Sequence, residues 1–125
     1  IFIAWQSAFP MADIQIKKKN DVVMVYLRDL RLSNDILAET IDSEISTLLN
    51  QDQVTKVIVN LRDVNFMNST MIGKLVQLTK RCREESIDLR FCDIKPPLLE
   101  VFQLMSLQRI MQIHPTEESA LEAMA

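Results

Sequence analysis

The sequence has 125 residues, of which 48% are hydrophobic and 25% are charged, a balance typical of one folded domain that buries its core without metal or disulfide. Fourteen basic and seventeen acidic residues give a net charge of −3, which argues against a nucleic-acid-binding surface. With one glycine and one histidine, the chain has neither a glycine-rich phosphate loop nor a catalytic triad, so we expect no enzyme, no metal and no cofactor.

The first ten residues, 1–10, are apolar, but the run is too short to span a bilayer and has no basic leader. Met11 resembles a natural start. We therefore expect 1–10 to be an N-terminal extension or an arm added upstream of that start, and the folded domain to occupy 11–125. An ordered arm carrying Trp5 and Phe9 would suit a contact with a second chain, so a homodimer is a further expectation.

A β-hairpin and a helix are predicted next. Residues 13–17 alternate between apolar and polar, residues 22–27 are apolar on both faces, and the run of lysines at 17–19 predicts the turn between two strands. After this hairpin, helical spacing runs to Leu49, with Ser33 or Asn34 as the N-cap.

A strand-to-helix junction in the middle of the chain carries two adjacent hydroxyls. The β-branched run from Lys56 to Leu61 predicts a strand, and a buried helical stripe follows it at Met71, Ile72, Leu75, Leu78 and Cys82. Asn68, Ser69 and Thr70 therefore fall in the first helical turn, where free N–H groups and the helix dipole favour a negative group such as phosphate. Ordinary capping by Asn or Ser explains the same pattern, and the spacing leaves both interpretations open.

The remaining elements alternate between strands and helices. Residues 87–92 predict a strand with Ile87, Leu89 and Phe91 on one face, and Pro96 or Pro97 is suited to open the next helix. The apolar positions with helical spacing in that helix are Leu98, Val101, Phe102 and Met105. A short strand at 109–113 and a final helix, capped by Thr116 with Glu117 and Glu118 at its positive end, complete the prediction.

The two cysteines and the histidine suggest no redox or metal chemistry. Cys82 and Cys92 have no CxxC spacing, and both fall in predicted buried elements, so we expect reduced, buried thiols. His114 precedes Pro115 and is interpreted as an ordinary loop residue.

The junction resembles the signature of STAS domains, in particular that of anti-sigma factor antagonists, which reads Asp-Ser-(Ser/Thr)-Gly-Leu-Gly. In this chain Asn68 stands at the Asp position, Ser69 at the phosphoacceptor and Thr70 at the second hydroxyl. Met71 replaces the first Gly, and Ile72 and Gly73 match the last two positions. The predicted order β-β-α-β-α-β-α-β-α also resembles the STAS architecture from Met11 to Met124, with Ser106 where relatives often carry Gly.

The resemblance implies a fold and a function. The fold would be a single α/β STAS-like domain whose mixed sheet has about five strands, with about four helices mainly on one face. The function would be that of a cytoplasmic regulatory module that binds an anti-sigma factor with serine kinase activity, or another protein, and is switched by phosphorylation of Ser69, with Thr70 as second choice. The expected partner-contact residues are Asn68, Ser69, Thr70, Met71, Gly73, Lys74, Asp29, Arg31, Ser33 and Asn34.

Two alternatives remain at this point. One is a STAS module that docks without phosphorylation, as in a stressosome-like scaffold or the small subunit of a lipid-transport complex; neutral Asn68 and Met71 favour it. The other is a small-molecule or nucleotide binder of the same fold. Catalysis, nucleic-acid binding and direct membrane insertion are not expected under any of these readings.

Overall fold

The computed structural model describes residues 14–19, 21–27, 46–47, 50 and 54–124. The arm at 1–10 and most of the predicted helix ending at Leu49 lie outside these residues; Ser46 and Thr47 are described, and they are helical. The described elements are the strands β1 (Ile14–Lys19), β2 (Val22–Leu27), β3 (Lys56–Asn60), β4 (Asp88–Cys92) and β5 (Gln112–His114), the helices α1 (Ser69–Glu84), α2 (Pro96–Leu104) and α3 (Glu117–Met124), and a 3₁₀ turn (Leu107–Arg109).

The described strands form one mixed sheet in the order β1-β2-β3-β4-β5. Strand β1 runs antiparallel to β2, whereas β2, β3, β4 and β5 are parallel to one another. The predicted five-stranded mixed sheet is therefore confirmed. The four parallel strands end at the same edge of the sheet, so the described loops that follow β3 and β4 begin there, and the loop after β3 leads to Ser69.

The two faces of the sheet bury different helices, because successive strand residues point to opposite sides. On one face, Val59 and Phe91 pack with α1 and α2 in the larger apolar cluster. On the other face, Met24 and Ile58 pack with Ala120 and Met124 of α3 in a smaller cluster. Two of the three described helices thus share one face, as expected.

Helix α1 buries the stripe that its spacing predicts. The predicted residues, all buried, are Met71, Ile72, Leu75, Leu78 and Cys82. Each large apolar side chain withdrawn from water contributes about 1.5–3 kcal/mol, so this face fixes the helix on the sheet. The opposite face, which starts at Ser69, is left to solvent.

Three predictions about boundaries are wrong. The lysines at 17–19 belong to β1, because pairing continues to Lys19 opposite Val22 and leaves only two residues for the turn. The last strand starts at Gln112, since residues 107–109 form a 3₁₀ turn after the left-handed Ser106. His114 consequently lies in β5 and not in a loop.

The predicted stripe of α2 is only half buried. Pro96 opens this helix, as expected, and Leu98 and Phe102 lie in the core. Val101 and Met105 are instead exposed, together with Leu104. A helix of this length covers the sheet along a narrow stripe, so the flanking apolar residues reach the surface.

Candidate functional site

The two adjacent hydroxyls lie where α1 begins. Asn68 is the N-cap, and its Oδ1 accepts a hydrogen bond from the backbone N–H of Met71 at 2.8 Å. Ser69 is the first residue of α1, and the side chains of Ser69 and Thr70 are exposed. Neither hydroxyl makes a hydrogen bond with the described residues. A group attached to Ser69 would therefore displace no contact in the described structure.

The expected contact residues do not all reach the surface. Ser69, Thr70 and Gly73 are exposed, and their spacing of three and four residues places them on one side of α1. Asn68 and Lys74 are half-buried, and both make contacts within the protein. Met71 was expected at the partner contact, but its side chain is buried in the core. Asp29, Arg31, Ser33 and Asn34 lie outside the described residues.

The departures from the family signature have structural explanations. Asn68 supplies the capping oxygen that an Asp would supply. Among the described non-glycine residues a positive φ occurs at Ser86, Asp93 and Ser106, so Met71 does not need the freedom of a glycine. At Gly73 a Cβ would meet no atom within 4 Å. No other part of the described structure therefore approaches Gly73 closely enough to require a glycine there.

The loop between β3 and α1 is held at several points. The N–H of Arg62 donates to Oδ1 of Asn60 at 2.8 Å, and Nζ of Lys95 donates to Oδ1 of Asn65 at 2.5 Å. Met67 is buried at the start of the helix. Between these anchors Phe66 is 55% exposed. Phe66 was not among the contact residues predicted from the sequence, although an aromatic residue three positions before Ser69 could have indicated an exposed contact.

A buried polar network joins this loop to α3. Nδ2 of Asn60 donates to Oδ2 of Asp93 at 2.7 Å and to Oε1 of Glu117 at 3.1 Å. Glu117 also accepts from the Tyr26 hydroxyl at 2.9 Å and from Nζ of Lys19 at 2.5 Å. Burial raises the pKa of Tyr26 to about 12, and the bond to Glu117 adds to this effect. This network was not predicted from the sequence, where its one local signal is a polar Asn within a β-branched strand.

The pKa of Glu117 reflects the same network. Burial by itself raises the pKa of this carboxyl, but the hydrogen bonds from Lys19, Tyr26 and Asn60 outweigh burial, so the pKa is lowered. The carboxylate is thus held in its charged form by donors from three strands. These contacts make Glu117 a structural residue that connects α3 to three strands of the sheet.

A second polar cluster lies on β4 and β5. Nη1 of Arg90 lies 3.0 Å from Nε2 of His114, and Nε of Arg90 pairs with Asp88 at 3.1 Å. Burial lowers the pKa of His114, and the charge of Arg90 lowers it further, against a smaller opposing effect of Asp88. His114, interpreted from sequence as a loop residue, is therefore a cross-strand contact.

The described residues offer little to a cofactor or a metal. No three His, Cys, Asp or Glu side chains among them converge on one point, and none of their helices is long and apolar enough for a bilayer. A crevice of about 330 Å³ beside α3 is lined by residues of both charges, among them Lys19, Arg62, Asp93 and Glu118. Cys82 and Cys92 are buried free thiols, as predicted, and burial raises their pKa to about 11 and about 12.

Comparison with known proteins identifies the relatives of this chain. The STAS domain model matches residues 13–120. An anti-sigma F factor antagonist from Paenibacillus polymyxa is 24% identical over 95 residues, which cover 74% of this chain and 81% of that protein.

Solved structures share the fold. An anti-sigma-factor antagonist (STAS) domain protein from Planctomyces limnophilus is 28% identical, with a TM-score of 0.74 over 92% of this chain and 99% of that one. The Bacillus anti-sigma factor antagonist SpoIIAA, at 24% identity, gives a TM-score of 0.72 in its unphosphorylated form, covering 89% of this chain and 95% of its own. Its phosphorylated form gives 0.67, covering 90% and 99%.

Proposed function

The chain belongs to the STAS domain family, and from that premise we propose that it is an anti-sigma factor antagonist switched by phosphorylation of Ser69. In this proposal it is a binding protein without catalytic activity, and the kinase activity belongs to its partner, an anti-sigma factor met in the cytoplasm. Thr70 is the second choice of acceptor. Relatives that carry the antagonist name support this role.

The observation that carries the proposal is the exposed hydroxyl of Ser69 at the first residue of α1, which makes no hydrogen bond with the described part of the chain. A kinase can reach this hydroxyl without opening the domain. Thr70 and Gly73 are exposed beside it, so the exposed side chains of the first two turns are small, while Lys74 is half-buried. Such a surface lets a partner approach the helix closely.

Phosphate at Ser69 would change the surface and leave the fold intact. It adds a charge of about −1.5 to −2 and three strong acceptor oxygens. The capping bond from Met71 to Asn68 does not involve Ser69, so the helix keeps its cap. A partner surface fitted to a small neutral hydroxyl would have to desolvate that charge, and we expect the complex to dissociate.

SpoIIAA is known in both phosphorylated and unphosphorylated forms. At 24% identity, that likeness supports a shared fold and nothing more. The proposed switch in this chain rests on the exposure of Ser69. A second candidate is a STAS module that docks without phosphorylation. Asn68, which is neutral where the family has a carboxylate, favours this second candidate, because the loop then lacks a charged group that a kinase could bind.

The experiment tests binding and modification together. Each anti-sigma factor encoded in the source genome is purified and titrated with the unmodified chain, with Ser69→Ala and with Ser69→Asp. We expect one factor to bind the unmodified chain and Ser69→Ala alike, and to bind Ser69→Asp more weakly. With ATP, that factor should add one phosphate to the unmodified chain and none to Ser69→Ala, and mass spectrometry locates the site.

Three outcomes would change the proposal. Phosphate found on Thr70 would move the acceptor by one residue and keep the switch. Tight binding of Ser69→Asp with no incorporation on either hydroxyl would identify the unswitched docking module. If none of the factors binds the unmodified chain, the antagonist role itself is wrong.

A further inference from the structure

We propose that Phe66 is the apolar anchor of the partner interface, and that the partner offers an apolar pocket for its ring beside the contact with Ser69. This inference rests on the proposed function, because it concerns the same protein partner. It adds a residue and a chemistry that the phosphoacceptor motif does not contain. The observation behind it is an exposed aromatic ring on a loop that is otherwise fixed.

The exposure of Phe66 is not caused by a loose loop. The residue before it, Asn65, accepts from Lys95 at 2.5 Å, and the residue after it, Met67, is only 4% exposed. Further upstream, the N–H of Val64 donates to the carbonyl of Leu61 at 3.0 Å, and the Val64 side chain is fully buried. The loop is therefore held on both sides of Phe66, so binding would require little additional ordering of the backbone.

The position of Phe66 puts it inside any interface centred on Ser69. Phe66 lies three positions before Ser69 in the sequence, so their Cα atoms are at most about 10 Å apart. A standard interface covers about 800 Å² on each partner, which corresponds to a disc about 30 Å across. A disc of this size centred on Ser69 therefore extends beyond Phe66, and both side chains are exposed.

The chemistry of the ring fits an anchor. Aromatic side chains are enriched among the few residues that carry most of the binding energy, and these residues lie near the centre of an interface in water-free pockets. The other large exposed apolar residues of the described chain lie on α2, at Val101 and Leu104, and at its C-cap, Met105. Leu104 ends that helix, about 12 Å along the axis from Pro96, which follows the Lys95 that contacts Asn65, and we place it toward the rim.

Burial of Phe66 would also sharpen the switch. When the ring fills an apolar pocket it excludes water from the surface next to Ser69, and a charge is more costly to bury in a dry contact than in a wet one. Phe66 and the phosphate would thus act on the same patch of the partner. Their effects on the dissociation constant should not be additive.

The test measures Kd by calorimetry with the anti-sigma factor that binds the unmodified chain. Phe66→Ala should raise Kd about tenfold or more, and Phe66→Gln, which keeps the length and removes the apolar character, should do the same. Phe66→Leu should retain most of the affinity. Leu104→Ala is the matched control, since it also truncates an exposed apolar side chain, and we expect it to change Kd less than about threefold.

The double variant Phe66→Ala/Ser69→Asp tests whether Phe66 and a charge at Ser69 affect the same contact with the partner. Ser69→Asp should raise Kd by a smaller factor in the Phe66→Ala background than in the unmodified background. Melting temperatures of all variants should lie close to that of the unmodified chain, because the ring is exposed. If Phe66→Ala melts early, Phe66→Gln and Phe66→Leu, which retain more of the side chain, decide the question.

The outcomes separate this inference from the proposed function. If Ser69→Asp loses binding while both Phe66→Ala and Phe66→Gln bind like the unmodified chain, the anchor is wrong and the antagonist role stands. Equal losses for Phe66→Ala and Leu104→Ala would also overturn the anchor, since the effect would then come from exposed apolar surface in general. Absence of any complex with the unmodified chain overturns both.

Discussion

Nδ2 of Asn60, the last residue of β3, donates to Oε1 of Glu117, the first residue of α3, at 3.1 Å. The same amide group donates to Asp93, and its Oδ1 accepts from the N–H of Arg62. One side chain that is only 1% exposed therefore connects the loop leading to Ser69, the end of β4 and the start of α3.

The first prediction follows from this connection. Asn60→Ala removes a buried donor from two carboxylates and an acceptor from one backbone N–H, so it should lower the free energy of unfolding by about 2–4 kcal/mol. Urea denaturation measures this change. Asn65→Ala, which loses one bond at an exposed position, is the control and should cost less than about 1 kcal/mol. Equal losses of unfolding free energy for the two substitutions would show that the buried network stabilises the protein no more than one exposed hydrogen bond does.

The second prediction concerns pH and His114. Its contact with Arg90 at 3.0 Å requires an unprotonated Nε2, and burial together with Arg90 keeps the pKa below the ordinary value of 6.5. As the pH falls, His114 is therefore protonated first in the unfolded chain. The contribution of His114 to the free energy of unfolding is complete above pH 6.5 and is lost as the pH falls toward the pKa of the folded state.

Urea titrations between pH 7.5 and pH 5 check this. The free energy of unfolding of the unmodified chain should decrease as the pH falls. That of the His114→Gln variant should decrease less over the same interval. The carboxylate of Asp88 faces the same cluster and partly offsets the added charge. Parallel curves for the two proteins would mean that His114 does not titrate differently on folding.

The third prediction concerns Gly73, an exposed glycine inside a helix. Since a Cβ would meet nothing within 4 Å, Gly73→Ala should raise the free energy of unfolding by about 1 kcal/mol. Thermal denaturation measures the gain. If the partner approaches this helix face closely, the same substitution should weaken binding while it stabilises the free protein; unchanged affinity would mean that the glycine serves neither fold nor partner.

The fourth prediction concerns Ser106, whose φ of 57° is left-handed. An L-residue pays about 1–2 kcal/mol for this conformation, and glycine pays less but loses more entropy on folding. Ser106→Gly should therefore stabilise the protein by up to about 1 kcal/mol. Ser69→Gly, made in the right-handed first turn of α1, is the matched control and should destabilise. A loss of stability at Ser106 would show that its hydroxyl outweighs the backbone strain.

The fifth prediction tests the packing of α1. Leu75 is 1% exposed, and Leu75→Ala should lower the free energy of unfolding by about 2–5 kcal/mol because it leaves a cavity under the helix. Gln77→Ala, on the exposed side of the same helix, should change it by less than about 0.5 kcal/mol. An unchanged melting temperature for Leu75→Ala would contradict the burial of this face.

The periodic parts of the chain were predictable from sequence. The stripe from Met71 to Cys82 and the alternation of Ile87, Leu89 and Phe91 follow directly from one buried face per element, and both are confirmed. The resemblance to STAS domains is likewise confirmed. The junction at Ser69 was located because a turn and a cap leave local signals.

Features that depend on distant residues were not predictable. The exposure of Val101 and Met105 is decided by how much of the sheet α2 covers. The role of Asn60 depends on Asp93 and Glu117, which lie 33 and 57 residues away along the chain. Whether lysines 17–19 form a turn or a strand depended on how far β1 pairs with β2. Each of these is a tertiary property that local spacing does not encode.

The lysines of β1 also affect how the protein behaves in concentrated solution. They are consecutive on the outermost described strand, and all three side chains are exposed. Like charges on such a strand discourage two sheets from joining edge to edge. The range of that repulsion is about 8 Å at physiological ionic strength and about 3 Å at 1 M salt. High-salt buffers should therefore favour self-association and low-salt buffers should keep the preparation monodisperse, which light scattering can follow.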